Sequence, residues 1–256
     1  MTLTIITDLN EVSIYKELRD KTISVDNSFI ADSPKVVNLL LETNLEIKSI
    51  LATQEYYDEF QELIEKKNIP FLYLADKTLM QEIVGHTIHH NCMMHGVRPA
   101  QTPLNRLDKH ILMLDEISST QNIGSIARSA AALGVNSYLL PKQGPHPYAR
   151  RALRVSMGHI ALLKTHHYDN IFETLKELKK QGYTILAAEV VPESINLAEV
   201  KAPNKWVLLM GHEGKGISKE VLALCDKTVK IEMVEGIKSF NVSVAASIMM
   251  YRLLHL

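Results

Sequence analysis

The sequence has few cysteines, few aromatic residues and no long apolar run, and each shortage excludes a class of protein. Only Cys92 and Cys225 occur among 256 residues, which excludes a small disulfide-stapled domain. No stretch approaches about 18 consecutive apolar residues, the length of a membrane-spanning helix. The first eight residues lack the basic-then-apolar layout of a secretion signal. We therefore expect a cytoplasmic protein that has no membrane partner.

The composition that remains is that of a globular protein. Hydrophobic residues make up 46% of the chain and charged residues 22%, which is enough apolar surface for a core. The net charge of −1 hides an asymmetry, because residues 1–105 carry nine basic and fifteen acidic side chains, a net charge of −6. Residues 106–256 carry nineteen basic and fourteen acidic side chains, a net charge of +5. A partner that bears phosphate is therefore expected to meet the second part first.

Short apolar runs alternate with amphipathic stretches in both parts, and this rhythm predicts an α/β fold with parallel βαβ units in the second part. Residues 98–107 include two prolines and have the composition of a linker, which predicts two domains, 1–105 and 106–256. The predicted helices cover 36–41, 56–66, 123–133, 171–180 and 218–224. The predicted strands cover 47–52, 71–74, 93–97, 111–114, 137–140, 184–188, 206–210 and 229–231.

The first informative segment, residues 114–135, is a strand end, a polar loop and a helix rich in small residues. Asn122 lies at the junction of loop and helix, and Arg128 follows in the helix. We expect Asn122 to cap the helix and Arg128 to project near the same end, a suitable place to hold a phosphate or a ribose. The alternative is that Asn122 only caps the helix and that Arg128 is only solvated.

Two further segments have unusual composition. Residues 207–218 form a buried-strand pattern that breaks into a loop with three glycines, but Ile217 stands where a phosphate-binding P-loop requires lysine. The alternative is a tight turn without a ligand. Residues 236–254 place Ser239 and Asn241 before a long, almost uncharged helix. Such a helix is expected either in the core or at a subunit interface.

In this order and at these spacings, the three segments resemble the three signature motifs of the SpoU, or TrmH-like, family of RNA ribose methyltransferases in the SPOUT superfamily. The similarity is close over 112–254 and includes residues 154–160. It implies an α/β fold with a C-terminal trefoil-knotted methyltransferase domain. A smaller α/β, ribosomal-protein-like substrate-recognition domain would precede it. The resemblance also implies S-adenosylmethionine as cofactor, RNA as methyl acceptor and a homodimer.

The resemblance assigns roles to individual residues. Arg128, Asn122 and Glu213 correspond to the family's catalytic residues. Because a guanidinium stays protonated, we expect Arg128 to hold phosphate and stabilise developing oxyanion charge, and base action by this residue is the alternative. Glu213 is expected to organise its loop and Asn122. The residues expected to bind the cofactor are Ala187, Ala188, Glu189, Gly211, Ile231, Met233, Ser239 and Asn241.

The RNA is expected to contact a basic cluster, Arg150, Arg151 and Arg154, since phosphate neutralisation supplies much of nucleic-acid affinity. The alternative is a solvated run of charges. No metal is expected, and the His and Cys residues within 86–95 do not have the spacing of a standard zinc module. The predicted function is methylation of a ribose 2′-oxygen, in ribosomal RNA rather than transfer RNA. The alternatives are a non-catalytic RNA-binding factor and a methyltransferase that acts on a base atom.

Overall fold

The computed structural model of the chain describes residues 2–16 and 27–255, and these form two compact units. The α-helices are four to fourteen residues long. They are α1 (Pro34–Leu41), α2 (Gln54–Glu59), α3 (Gln61–Glu65), α4 (Lys77–Val84), α5 (Thr120–Leu133), α6 (Arg150–Val155), α7 (Ile171–Lys180), α8 (Lys219–Leu222) and α9 (Val242–His255). The strands are β1 (Thr4–Ile5), β2 (Ser28–Asp32), β3 (Ile47–Ala52), β4 (Phe71–Leu74), β5 (Cys92–Val97), β6 (His110–Leu114), β7 (Ser137–Pro141), β8 (Lys164–Tyr168), β9 (Thr184–Ala188), β10 (Ile195–Asn196), β11 (Trp206–Met210) and β12 (Lys227–Lys230).

The two units divide the chain differently from the two predicted domains. The first unit contains Met1–Ala100 and His146–Ala161, and the second contains Gln101–Pro145 and Leu162–Leu256. The chain therefore leaves the first unit five residues before the predicted boundary and returns to it later. Linker composition marks where a chain first leaves a unit, but a later return depends on tertiary contacts. The assignment of a recognition role to one domain and a methyltransferase role to the other stays a prediction.

A five-stranded mixed sheet lies at the centre of the described part of the first unit. Its order is β1-β4-β3-β5-β2, in which β5 runs antiparallel to both of its neighbours and the other pairs are parallel. The strands predicted at 47–52, 71–74 and 93–97 are confirmed. β2 lies where no strand is predicted, because its five residues are all buried and show no alternation of apolar and polar side chains.

The single helix predicted over 56–66 is wrong, since the chain forms two short helices, α2 and α3, around Phe60. Phe60 has φ −115° and ψ 21°, outside the helical region, and it lies at the end of one helix and the start of the next. Thr53 caps α2, because its hydroxyl accepts the amide of Tyr56 at 3.5 Å. The apolar spacing continues across the break, so periodicity alone predicts one helix.

A seven-stranded sheet lies at the centre of the second unit, and every strand pair in it is parallel. Its order is β10-β12-β9-β11-β6-β7-β8. A parallel sheet covered on both faces needs strands that are apolar on both sides, and every residue of β11 is buried. The predicted parallel βαβ arrangement is confirmed. β8 and α6 lie where no element is predicted, because neither sequence contains an apolar run.

The position of β11 is the one at which the strand order of this sheet departs from the order in the chain. β11 lies between β9 and β6, so a strand late in the chain is inserted between two earlier strands. Open α/β sheets bind ligands at the carboxyl ends of their strands, where the strand order reverses. The trefoil knot that the resemblance implies stays a prediction.

The helix α9 has one face in the core and one face in solvent. Its buried residues are Ala246, Met249, Met250 and Leu253. On its other face Val244, Ile248 and Tyr251 are 45%, 37% and 59% exposed. The helix packs against α5, where the Oγ atoms of Ser247 and Ser129 lie 2.7 Å apart. Neither α9 nor any other described helix is long and apolar enough to cross a membrane.

A buried ion pair holds α6 within the first unit. Asp32 ends β2 with a side chain that is 3% exposed, and its Oδ2 accepts a hydrogen bond from Nε of Arg150 at 2.8 Å. Nε of Arg154 lies 3.5 Å from Oδ1 of the same carboxylate. The rings of Phe29 and Tyr148, 5.2 Å apart, add an aromatic contact between the same two segments. Because a buried carboxylate needs a cationic partner, these contacts explain why the later segment belongs to the first unit.

Replacing Arg150 by alanine is expected to destabilise the first unit strongly. The carboxylate of Asp32 would stay buried and would keep only one of its two arginines, the more distant Arg154, and loss of one partner of a buried pair costs about 3 kcal/mol. Urea denaturation followed by circular dichroism measures the change. Lys35→Ala removes an exposed cation from α1 of the same unit and is expected to cost less than about 0.5 kcal/mol. Equal losses in the two variants would contradict the anchoring role of the pair.

Candidate functional site

A cavity of about 320 Å³ opens in the second unit at the carboxyl ends of β9, β11 and β12. Its volume is typical of small-molecule sites, and its position is the usual one for a ligand on a parallel sheet. The lining residues are 188–190, 210–216 and 229–231, with Met233, Ser239, Phe240, Val242, Ala245 and Met249. Stretches that are far apart in the chain thus meet around one space.

Six of the eight residues predicted to bind the cofactor line this cavity, and two do not. The six are Ala188, Glu189, Gly211, Ile231, Met233 and Ser239. Ala187 is fully buried inside β9. The side chain of Asn241 instead donates a hydrogen bond to Asn122. Cofactor binding by the six residues stays a prediction.

Several lining residues lie beside the motif positions that were singled out. His212, Lys215 and Lys230 bring polar side chains to the cavity, and Phe240 brings a ring that is 42% exposed. Met249 of α9 is 3% exposed and also lines the cavity. The sequence does contain a signal for His212, Lys215 and Lys230 as cavity residues, because each lies next to a glycine or at the end of a strand.

Two glycines let the loop after β11 fold back on itself. The amide of Gly216 donates to the carbonyl of His212 at 2.9 Å, and the amide of His212 donates to the carbonyl of Gly216 at 3.2 Å. A Cβ on Gly211 would lie 2.6 Å from the carbonyl carbon of Gly216, closer than side chains approach. Gly216 also has φ +67°, which favours glycine. Both positions therefore require glycine, and both residues line the cavity.

The imidazole of His212 fixes the tip of this loop. Its Nδ1 accepts hydrogen bonds from the amides of Gly214 at 2.9 Å and Lys215 at 3.2 Å. These two hydrogen bonds hold the backbone of Gly214 and Lys215 against the ring.

Glu213 joins the same loop to the start of α5. Its Oε1 accepts from Nδ2 of Asn122 at 2.9 Å and from the amide of Ser119 at 3.2 Å, and its Oε2 accepts from the amide of Ser118 at 3.1 Å. Burial opposes ionisation of this carboxyl, but the hydrogen bonds from Asn122 and from backbone amides outweigh burial and lower its pKa to about 2. Glu213 is therefore ionised at neutral pH.

Asn122 extends this connection to the third motif. Its Oδ1 accepts from Nδ2 of Asn241 at 3.2 Å, while Oδ1 of Asn241 accepts the amide of Ser243 at 2.9 Å. The expectation that Asn122 caps α5 is wrong, because Ser119 is the N-cap and accepts the amide of Asn122 at 3.3 Å. The side chain of Asn122 is thereby left to join Glu213 to Asn241.

The third predicted catalytic residue, Arg128, lies apart from this network. It is exposed on α5, does not line the cavity, and makes no hydrogen bond or ion pair with any residue that the structure describes. Six positions along a helix correspond to a rotation of about 240°, so Arg128 and Asn122 leave α5 on different faces. The structure joins Asn122 to Glu213 and leaves Arg128 open to solvent.

The three arginines predicted to bind RNA lie in the first unit. Arg150 and Arg154 face Asp32, with side chains 19% and 47% exposed, whereas Arg151 is exposed on the same helix. Arg150 and Arg154 thus share one acidic partner within the protein. RNA contact by this cluster stays a prediction, in which phosphate would compete with Asp32 for Arg154.

The histidines and the cysteine within 86–95 gain no support as a metal site. Across residues 2–16 and 27–255, no three His, Cys, Asp or Glu side chains are grouped to hold a metal ion. Nε2 of His95 lies 2.7 Å from Oγ of Ser28. Burial raises the pKa of the Cys92 thiol, and it raises that of Cys225 to about 11. Neither thiol is therefore ionised at neutral pH.

More than half of the chain is similar to one family of RNA-modifying proteins. Residues 109–251 match the model of the SpoU rRNA Methylase family. A TrmH family tRNA/rRNA methyltransferase of Staphylococcus haemolyticus is 34% identical over 141 residues, which cover 55% of this chain and 56% of that protein. The chain therefore spans only about half the length of this relative.

Two solved structures share the fold over nearly the whole chain. An AdoMet-bound rRNA methyltransferase from Sinorhizobium meliloti has a TM-score of 0.83 and 19% identity, and the match covers 98% of this chain and 97% of that one. An RNA 2′-O ribose methyltransferase has a TM-score of 0.79 and 20% identity, with 99% and 98% covered. At these identities the similarity establishes the α/β fold alone.

The hydrogen bonds to Glu213 predict a pH-dependent contribution to stability. The folded pKa of about 2 lies below the ordinary value of 4.5, so the stabilisation is present above about pH 5 and is lost as the pH falls towards 2. We expect Glu213→Gln to lower the free energy of unfolding at neutral pH, because it removes the charge that accepts these hydrogen bonds. The loss should be only about 1 kcal/mol, since solvent screens this exposed carboxylate. The deficit should shrink at about pH 3.

Urea titrations at several pH values measure this difference. Glu235→Gln, in an exposed loop outside the cavity, is the control, and its difference from the wild type is expected to stay flat. A deficit for Glu213→Gln that does not change between neutral and acidic pH would show that the carboxylate charge plays no part.

Proposed function

Since the chain belongs to the SpoU rRNA methylase family, we propose that it transfers a methyl group from S-adenosylmethionine to a ribose 2′-oxygen of RNA. The observation that carries this proposal is the convergence of separate motif stretches on one cavity, where six of the eight expected cofactor residues meet. The cavity lies at the carboxyl ends of parallel strands, where α/β enzymes bind their ligands.

The cavity offers the kinds of groups that S-adenosylmethionine needs. Met210, Val242 and Met249 give it an apolar wall, and Gly211 and Gly216 bring main-chain groups to the lining. Small-molecule sites combine an apolar lining with a few placed polar groups in this way. When bound, the cofactor supplies a methyl group already activated by its sulfonium.

The proposed cofactor residues act in two ways. Ala188, Gly211 and Ile231 offer main-chain groups at three strand ends, with Met233, Ser239 and Glu189 completing the lining. Ala187 and Asn241 act from outside the cavity, the first as part of the buried strand and the second through Asn122.

The protein must position the acceptor hydroxyl and stabilise negative charge on it, because a ribose hydroxyl is a poor nucleophile at neutral pH. We assign this role to Arg128, whose guanidinium donates hydrogen bonds to phosphate or oxyanion and has no partner in the described part of its own chain. Glu213 is already engaged by Ser118, Ser119 and Asn122. It therefore organises the site and does not take the proton.

Ribosomal RNA is the proposed substrate class, because an additional unit precedes the methyltransferase region. That unit carries all fifteen acidic residues of 1–105, so this part of it would orient RNA by shape or contact another protein. Within it, Arg150, Arg151 and Arg154 are the proposed phosphate contacts.

Mass spectrometry of RNA from cells with and without the gene tests the proposed function. The expected result is one ribose methyl missing from ribosomal RNA, together with S-adenosylmethionine binding to the purified protein in a calorimeter. A missing methyl on a base atom would contradict the ribose assignment. Unchanged RNA modification and no cofactor binding would instead leave an RNA-binding factor that retains the fold.

A homodimer is part of the proposal and rests on the exposed face of α9. Val244, Ile248 and Tyr251 are spaced so that they form one apolar stripe along this face. An exposed apolar stripe of this kind marks an interaction surface. A site at a two-fold interface, which the resemblance implies, would also explain why Arg128 lies outside the cavity of its own chain.

The replacement Ile248→Asp is expected to weaken the dimer by about 100-fold, because it places a charge at the centre of the stripe. Analytical ultracentrifugation over a concentration series measures the dissociation constant. Val234→Asp, which changes a 76% exposed residue outside α9, is expected to leave the dimer unchanged. A wild type that is monomeric at micromolar concentration would contradict the proposed assembly.

Arg128→Lys is expected to lower kcat by about 100-fold, since lysine keeps the charge but loses the guanidinium fork. The cofactor Kd should stay within about twofold, because Arg128 does not line the cavity. Steady-state methyl transfer and calorimetry measure the two effects. Arg106→Lys, at another exposed arginine of the second unit, is the matched control. An unchanged kcat in Arg128→Lys would remove this residue from the mechanism.

A further inference from the structure

The carboxylate of Glu189 joins two loops at the cavity. Glu189 follows the last residue of β9, and its Oε2 accepts the amide of Ile217 at 2.7 Å while its Oε1 accepts the amide of Val190 at 2.9 Å. Its backbone is held too, because its amide donates to the carbonyl of Val229 at 3.2 Å and its carbonyl accepts from Oγ of Ser194 at 2.8 Å. The carboxylate is thus fixed on a rigid strand end.

The glycine loop after β11 is shaped around this carboxylate. A Cβ on Gly216 would overlap Oε2 of Glu189, and its distance to the carboxyl carbon would be only 2.9 Å. On the other side, a Cβ on Gly211 would lie 2.5 Å from Cγ1 of Ile217. Ile217 itself is 5% exposed. The loop is therefore closely packed at both glycines. Gly216 packs against the carboxylate of Glu189, and Gly211 packs against Ile217.

We infer that Glu189 is a positioning residue, which holds the amide of Ile217 and so fixes residues 211–217 in the shape that binds the methyl donor. In the described structure no other side-chain hydrogen bond joins the loop after β9 to the loop after β11. Glu213 holds the same loop from the opposite side, at α5. The inference deepens the proposed function and rests on it for the identity of the ligand.

A glutamine at this position separates the hydrogen-bonding role from the size of the side chain. The carboxylate accepts from both Val190 and Ile217, but a carboxamide has one acceptor oxygen and its NH2 group would face one of the two amide donors. Glu189→Gln therefore cannot satisfy both amides. We expect the loop to open locally while the sheet stays folded.

The experiment measures the loop and the ligand separately. In protein without cofactor, the amide of Ile217 is expected to exchange its hydrogen about tenfold faster in Glu189→Gln than in the wild type. Calorimetry should show a Kd for S-adenosylmethionine raised about tenfold, and kcat at saturating donor should change less than about twofold. Glu193→Gln removes a charge from the same loop, outside the cavity lining, and should change none of the three.

A second variant tests the same contact from the other side. Gly216→Ala places its Cβ where the carboxylate lies, so it should speed exchange at Ile217 and weaken donor binding as Glu189→Gln does. Both changes break the same contact, so their effects on binding should not add. The Kd of the double variant should be no higher than that of the single variant with the higher Kd. Fully additive losses would overturn the inference. If Glu189→Gln does not fold, Gly216→Ala carries the test alone.

The outcomes separate this inference from the proposed function. A wild type that does not bind S-adenosylmethionine overturns the proposed function, whereas the exchange of Ile217 still tests the contact. If the wild type binds, an unchanged Kd in Glu189→Gln overturns the inference. A raised Kd with unchanged exchange at Ile217 also overturns it, because Glu189 would then contact the donor directly.

Discussion

The carboxylate of Glu213 is the point to which the functional parts of the second unit are tied. It accepts hydrogen bonds from Asn122 and from the start of α5, and Asn122 in turn accepts from Asn241. The residues it joins are 91 or more positions apart in the chain. Hydrogen bonds to an ionised group are the strong ones, so this carboxylate holds three distant stretches in one arrangement. Glu213 itself lines the cavity, so the same hydrogen bonds also hold one part of its wall in place.

Parallel strands and two carboxylates together explain why the cavity is formed before any ligand arrives. The order of β9, β11 and β6 brings their carboxyl ends to one edge, and the glycine loop after β11 lies there between Glu213 and Glu189. These two carboxylates therefore order the backbone of the glycine loop when the protein folds. Binding to an ordered loop costs less conformational entropy, which leaves more of the interaction energy for affinity.

The sequence predicts those features that depend on local pattern. Apolar runs locate β6, β9 and β11, and the glycine-rich segment after β11 lies where the cavity opens. The ion pair of Asp32 with Arg150 joins residues 118 positions apart, and neither periodicity nor composition carries that information. The hydrogen bond of Asn122 to Glu213 likewise joins residues 91 positions apart, so a local pattern could not show that Asn122 connects two loops and does not cap α5. Strand order and any threading of the chain are set by tertiary packing, so periodicity cannot reveal them.

The central claim is that the cavity at the ends of β9, β11 and β12 is the site of the methyl donor. A crystal structure with S-adenosylhomocysteine, the demethylated form of the donor, tests it most directly. The account predicts that the adenosine lies against the backbone of 188–190 and 211–216, with the contacts of Glu213 to α5 intact. A nucleoside bound elsewhere on the protein, or a loop released from Glu213 in order to bind it, would contradict the account.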